Sequence, residues 1–306
     1  MKPKKGGERL RLGVLLGEFM KELSLKEAVH IALALEYSCV ELPANDPASS
    51  CQQYALDSTQ KLGDWIRELG LEASAFQCHF HKGLGGENAE GYIDHVCKMA
   101  QIADCAGIGV VHTVSGIWSE FDPVQKERPY DPKACVGGPE WNRMVSSYRT
   151  ILQRCRGLNV RIAIEPVFVY MVCNAQTTGR LLEELGKEEL FINFDPSHFP
   201  YHMEEANAFL DLFGSKIIHA HAKDARVETP EDSSSKEDDG WPMKDGNVFH
   251  FAAPGRGVLD WPSLLDKLSD IGYDDVLSLE MGHGYLDDAL QAATKNIAFF
   301  RSLGVE

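Results

Sequence analysis

From Leu10 to about Phe300, short apolar runs alternate with longer stretches in which apolar residues return every three or four positions. Runs of that length predict strands buried on both faces, and the longer stretches predict amphipathic helices packed against them. The runs are Leu10–Leu16, Cys39–Leu42, Leu71–Cys78, Ile108–Thr113, Val160–Glu165, Leu190–Asp195, Lys216–His221 and Asp275–Glu280. Ser24-Leu-Lys-Glu27 fits a capping box and starts the first helix. Further helices are expected over Asp57–Leu69, Asn88–Ala106, Trp141–Cys155 and Asp287–Ser302.

Strands alternating with helices, and no compositional break that would mark a linker, predict an α/β fold of the (β/α)8 TIM barrel type over residues 1–306 as a single domain. A doubly wound open sheet is the alternative. It calls for a glycine-rich phosphate turn after the first strand, and Leu15-Leu-Gly-Glu18 is not one. Residues 1–9 are expected to be a flexible leader. Glu228–Asp245, charged and serine-rich, is expected to be a mobile loop on the rim, either a lid or a tolerated insertion.

Composition narrows the partners. A chain of 306 residues with 44% hydrophobic and 25% charged residues has the makings of an ordinary globular protein. Its net charge of −16 argues against nucleic acid and against an anionic membrane surface. Eight cysteines without a Cys-x-x-Cys pair read as reduced, buried residues. With no signal peptide and no long apolar span, the expected location is the cytoplasm.

The chemistry gathers at strand ends. Glu165 closes Arg-Ile-Ala-Ile-Glu-Pro, Asp195 closes Phe-Ile-Asn-Phe-Asp-Pro, His221 lies in Ile-Ile-His-Ala-His-Ala-Lys-Asp, and Glu280 closes Val-Leu-Ser-Leu-Glu. In a parallel barrel the C-terminal ends of these four strands converge on one mouth. Three carboxylates brought together there beside an imidazole repel one another unless a divalent cation binds the group. The oxygen-rich donor set suits Mn²⁺ first, with Mg²⁺, Co²⁺ or Zn²⁺ as alternatives. His219 shares a strand face with His221, so spacing alone does not separate them.

These residues, with Asp-Pro-Ser-His, Pro-Gly-x-Gly-x-x-x-Trp and the final Leu-Glu, resemble the xylose isomerase-like barrels. That sugar phosphate isomerase/epimerase group includes ketose 3-epimerases, hydroxypyruvate isomerases, inosose dehydratases and type-IV apurinic endonucleases. The resemblance implies that Glu165, Asp195, His221 and Glu280 bind the metal. It also implies that His198 contacts a substrate hydroxyl and that Arg226 binds substrate. The later motifs and the charge depart from the endonuclease branch.

The activity implied is a divalent-metal-dependent isomerase or epimerase that abstracts a proton next to a ketose carbonyl through a metal-stabilised enediolate, with Glu165 and Glu280 as the base and acid pair. A dehydratase or lyase acting on a keto-inositol or 3-keto-glycoside, including a C-glycoside deglycosidase catalytic subunit, is the alternative, and a non-catalytic sugar-binding barrel a third. The partner expected is a small-molecule sugar or keto-glycoside, with a homo-oligomer or a small accessory subunit left open. His79 and His81 are candidates to touch substrate, and His283 to replace an acidic or histidine group of relatives. Trp118, Trp141 and Trp241 are candidates for stacking on a ring or for plain packing. Pro254-Gly-Arg-Gly257 is expected to be a turn, with Arg256 free to reach an anion.

Overall fold

The computed structural model describes residues 10–47, 50, 53–54, 56–80, 82–121, 129–186, 190–229, 231, 240–281 and 288–305. The expected leader, His81, His283 and residues 230 and 232–239 of the rim loop lie outside them. Eight parallel strands close into a barrel: β1 (Arg11–Leu15), β2 (Cys39–Pro43), β3 (Glu72–Cys78), β4 (Val110–Val114), β5 (Arg161–Glu165), β6 (Leu190–Phe194), β7 (Ile217–Ala222) and β11 (Val276–Leu279). Consecutive strands are neighbours, and β11 pairs with both β7 and β1 to complete the ring. Closure brings β1 close to β11. A side chain at Gly13 would meet Val276 Cγ1 at 2.6 Å, so the first strand needs a glycine there.

The described helices are α1 (Leu25–Ala34), α2 (Leu56–Glu68), α3 (Ala89–Ala106), α4 (Pro139–Arg154), α5 (Ala175–Leu185), α6 (Ala206–Phe213), α7 (Trp261–Asp270) and α8 (Ala289–Ser302). Their starts and stops are local. Ser24 and Glu27 form the reciprocal capping box of α1, Asn174 and Thr177 form one at α5, and Gly107 ends α3 in the left-handed conformation. No described helix is long and apolar enough to cross a membrane. The described cysteines form no disulfide, and all but Cys105 are buried.

Between β7 and α7 the chain leaves the barrel to form a three-stranded antiparallel sheet: β8 (Asp224–Glu228), β9 (Trp241–Pro242) and β10 (Val248–Ala252), in the order β8-β10-β9. The expected loop Glu228–Asp245 is therefore not irregular throughout. Glu228 pairs with Val248, Trp241 pairs with Phe249, and Met243 is buried. Apolar residues on this sheet (Ala225, Met243, Phe249) pack with Val114, Tyr130, Phe168, Tyr170 and Tyr201 into a second hydrophobic cluster, separate from the main core between barrel and helices.

Candidate functional site

The barrel interior changes character along its axis. A small apolar cluster of Ala75, Val110, Ala163 and Ile218 packs with Phe191. Two residues further along three of those strands come His112, Glu165 and Asn193, all buried. The usual barrel interior is layered with branched apolar side chains, so burying this much polarity requires every charge to be answered.

The structure brings Glu165, Asp195, His221 and Glu280 together. One ligand atom from each lies within 4.8 Å of the other three. Glu165, Asp195 and His221 are fully buried, whereas the Glu280 side chain is 15% exposed. His221 Nδ1 lies 3.2 Å from Glu165 Oε2, 3.3 Å from Glu280 Oε2 and 3.9 Å from Asp195 Oδ2. Lys223, buried two residues after His221, puts its Nζ 2.8 Å from Asp195 Oδ2 and in contact with Glu280. It also sits 4.6 Å from the centre of the Phe251 ring.

Glu165 is held from several sides. Asn193 Nδ2 donates to Oε2 at 2.6 Å, His198 Nε2 lies 3.3 Å from Oε1, and His79 Nε2 lies 3.4 Å from Oε2. Glu280 takes a 3.2 Å hydrogen bond from Gln77 Nε2. Burial alone raises a carboxyl pKa, yet the imidazoles of His221 and His79 hold Glu165 well below the usual range. Against the same burial, Lys223 and then His221 hold Glu280 low. Burial pushes His221 down, but Glu41, Glu165 and Glu280 together raise it well above an ordinary histidine.

The donor set fits a divalent metal ion. Once His221 gives up its proton, three carboxylates against one ammonium leave a formal charge of −2, and three oxygen donors with one imidazole suit a hard or borderline cation. A profile of the family described as "Xylose isomerase-like TIM barrel" matches residues 29–303. The chain belongs to the xylose isomerase-like TIM barrel family.

Among curated proteins, the chain is 23% identical to the inosose dehydratase of Serratia proteamaculans over 223 residues, 70% of each sequence. Among solved structures, it is similar to a xylose isomerase domain protein from Planctomyces limnophilus, with a TM-score of 0.72, 15% identity and coverage of 97% and 98% of the two chains. It is also similar to the IOLI protein with a bound zinc atom, with a TM-score of 0.69, 18% identity and coverage of 96% and 98%. The structural likenesses establish the fold.

Within this xylose isomerase-like barrel the other expected residues are placed unevenly. His198 reaches the cluster: it is buried, lies 3.4 Å from Asp195 Oδ2 and stacks on Phe168 at 5.6 Å. His79 also reaches it, with 19% of its side chain exposed. Arg226 is not brought there. It lies on β8, its side chain is 51% exposed, and its Nε faces Glu228 Oε1 at 3.5 Å. The cause is local, because β8 has already left the barrel for the three-stranded sheet.

Trp141 is core, buried on α4 with its Nε1 donating to Glu184. Trp118 is half-buried between the two hydrophobic clusters, and Trp241 meets Phe168 edge-on at 5.1 Å. Pro254-Gly-Arg-Gly257 is a turn built on Asp224, with Arg256 exposed. The Asp224 carboxylate accepts from the backbone N–H groups of Ala225, Gly255 and Leu259 and from Trp261 Nε1. A side chain at Gly257 would lie 2.1 Å from Asp224 Oδ1, which explains the second glycine of the motif.

Sequence reasoning gave no role to Glu41, His112, Asn193 or Lys223. Each carried a signal, a polar residue inside or closing a run that otherwise reads as a buried strand: Cys39-Val-Glu-Leu42, Val110-Val-His-Thr113, Phe191-Ile-Asn-Phe194 and the Lys of His-x-His-x-Lys-Asp. Which of them converge in space is a property of the closed ring.

Proposed function

We propose that this protein is a divalent-metal-dependent enzyme that moves a proton next to the carbonyl of a polyhydroxylated ketone, as an isomerase or epimerase. The observation that carries the reading is the buried convergence of Glu165, Asp195, His221 and Glu280 at the C-terminal mouth of the barrel. A cation held by those four residues, Mn²⁺ by preference, would polarise the carbonyl and make the neighbouring C–H more acidic.

The chain's own groups supply the rest. Glu165 and Glu280 are two carboxylates kept ionised by their neighbours, and each is a proton acceptor in its resting state. One removes the proton; the carboxyl group so formed returns it to the neighbouring carbon in an isomerase, whereas in an epimerase the other carboxylate takes a proton from solvent and delivers it to the opposite face. Asn193 and His198 fix the orientation of Glu165, and Gln77 and Lys223 fix Glu280. Its stacking on Phe168 supports reading His198 as the donor to a substrate hydroxyl.

A second reading is dehydration or lysis of a keto-inositol or keto-glycoside. Similarity to inosose dehydratases favours it. The first step is shared, and the readings part on whether the returning proton meets carbon or a departing oxygen.

The test is incubation of the Mn²⁺-loaded protein in D₂O with ketoses, keto-inositols and 3-keto-glycosides, followed by NMR. Deuterium at the carbon next to the carbonyl with an isomeric product supports the first reading, and an unsaturated or cleaved product the second. Glu165→Gln and Glu280→Gln are each expected to lower turnover by about 10²–10⁴-fold. Near wild-type turnover in both, with metal bound, would remove the acid and base roles.

A further inference from the structure

One layer below the cluster, Glu41 projects from β2 and is completely buried. Three hydrogen-bonding groups face its carboxylate. Ser278 Oγ donates to Oε2 at 2.6 Å, His112 Nε2 lies 2.6 Å from Oε1, and His221 Nε2 lies 3.2 Å from both oxygens. The β2–β3 register shifts between Val40 and Glu41, and the β6–β7 register shifts between Ile192 and Asn193. Such irregularities re-aim side chains, and here they accompany the two polar groups that contact the strand-seven histidines.

The hydrogen bonds assign the imidazole protons. A carboxylate only accepts, so the 2.6 Å contact to Glu165 fixes the Nδ2 end of Asn193, although this nitrogen also lies 3.3–3.4 Å from both nitrogens of His221. Asn193 Oδ1 must then accept from His219 Nδ1 at 2.9 Å, which leaves His219 Nε2 as an acceptor. His112 donates from Nε2 to Glu41, leaving its Nδ1 to accept from His79 Nε2 at 3.3 Å. His221 Nε2 faces both oxygens of Glu41 and therefore carries hydrogen. Its Nδ1 is the nitrogen that faces Glu165, Asp195 and Glu280.

We propose that Glu41 is the positioning carboxylate of the metal site: it holds His221 in the Nε2–H form, turned so that Nδ1 presents its lone pair to the cation. The inference rests on the reading that the outer cluster binds a divalent ion. A buried carboxylate beneath the site is costly by itself, and three converging donors on Glu41 offset that cost. A metal-bound imidazole is commonly held this way, with its second nitrogen donating to a carboxylate.

Glu41, His112, His219 and His221 also have ligand atoms close enough to surround an ion of their own. The hydrogen bonds argue otherwise. Ser278 and His112 already donate to Glu41 at 2.6 Å, and a second ion would require both nitrogens of His221. The third such group, His79, His112 and Glu165, shares Glu165 with the outer site and has its two imidazoles hydrogen-bonded to each other at 3.3 Å, so one ion per chain is expected.

The experiment titrates metal-stripped wild type, Glu41→Gln and Glu41→Leu with Mn²⁺ by calorimetry, with folding checked by circular dichroism. It also records long-range ¹H–¹⁵N spectra of the Zn²⁺-loaded wild type. Wild type is expected to bind one ion. Glu41→Gln should bind about tenfold more weakly, because its amide oxygen still accepts from Nε2–H, and Glu41→Leu should approach a hundredfold. The spectra should show His221 as the Nε2–H tautomer, a result independent of whether Glu41→Leu folds. Unchanged affinity in both variants, an Nδ1–H tautomer, or two ions per chain overturns the role of Glu41 alone. A wild type that binds no ion overturns this role together with the metal reading on which it rests.

Discussion

Replacing Lys223 by methionine keeps much of the side-chain volume and removes the one ammonium inside the cluster. The Lys223 side chain is 5% exposed, lies 2.8 Å from Asp195 Oδ2 and contacts Glu280. Removing one partner of a buried ion pair costs about 3–5 kcal/mol, because the remaining charge stays buried. Unfolding entropy is about 2.1 cal/mol/K per residue, so a chain of 306 residues has about 0.64 kcal/mol/K, and the loss corresponds to about 5–8 °C in Tm. That deficit applies to metal-free protein. Three carboxylates without their lysine attract a divalent ion more strongly, so Lys223→Met is expected to gain more from added Mn²⁺ than wild type does. The assay is a pair of thermal melts for each protein, in chelator and in saturating Mn²⁺. A metal-free variant melting within about 1 °C of wild type, or equal gains from Mn²⁺, would refute the charge-balance argument.

The raised pKa of His221 gives a pH prediction. In metal-free protein its stabilising contribution is fully present below about pH 6.5, the unfolded value, and is lost as pH rises through the higher folded value. Metal binding must expel that proton, so affinity should rise about tenfold per pH unit over the same window. Calorimetry in two buffers of different ionisation enthalpy should find about one proton released per ion at pH 7, and none released would exclude this role for His221. Asp224→Ala strands four donors around Trp261 and should cost roughly 2–4 kcal/mol, or about 3–6 °C on the same scale, while the number of bound ions stays unchanged. Arg226→Ala, an exposed change on β8, should leave kcat/KM within about twofold and stability within about 0.5 kcal/mol; a tenfold loss of kcat/KM would restore the substrate contact that the sequence resemblance implied.

Much of the architecture is written locally. Apolar runs such as Val160–Glu165 and caps such as Ser24–Glu27 depend on neighbours along the chain, and strand ends fell within a residue or two of their expected places. Glu165, Asp195, His221 and Glu280 were legible for the same reason. A polar residue that closes a buried parallel strand has one place to go, the C-terminal mouth.

Arg226 shows where that logic stops. Its distance from His221 along the chain is short, but β8 peels away from the barrel between them, and an offset in sequence does not carry direction through such a departure. Glu41, His112 and Asn193 show the complementary case. They belong to β2, β4 and β6, are far apart in sequence and bear no common spacing, and only closure of the ring makes them neighbours. The eight barrel strands, five of the eight described helices and the outer four residues therefore follow from the sequence alone, because periodicity and strand-end position are local quantities. The inner carboxylate, the lysine between Asp195 and Glu280 and the exclusion of Arg226 were decided by the tertiary structure, because barrel register, β-bulges and desolvation exist only when the strands have met.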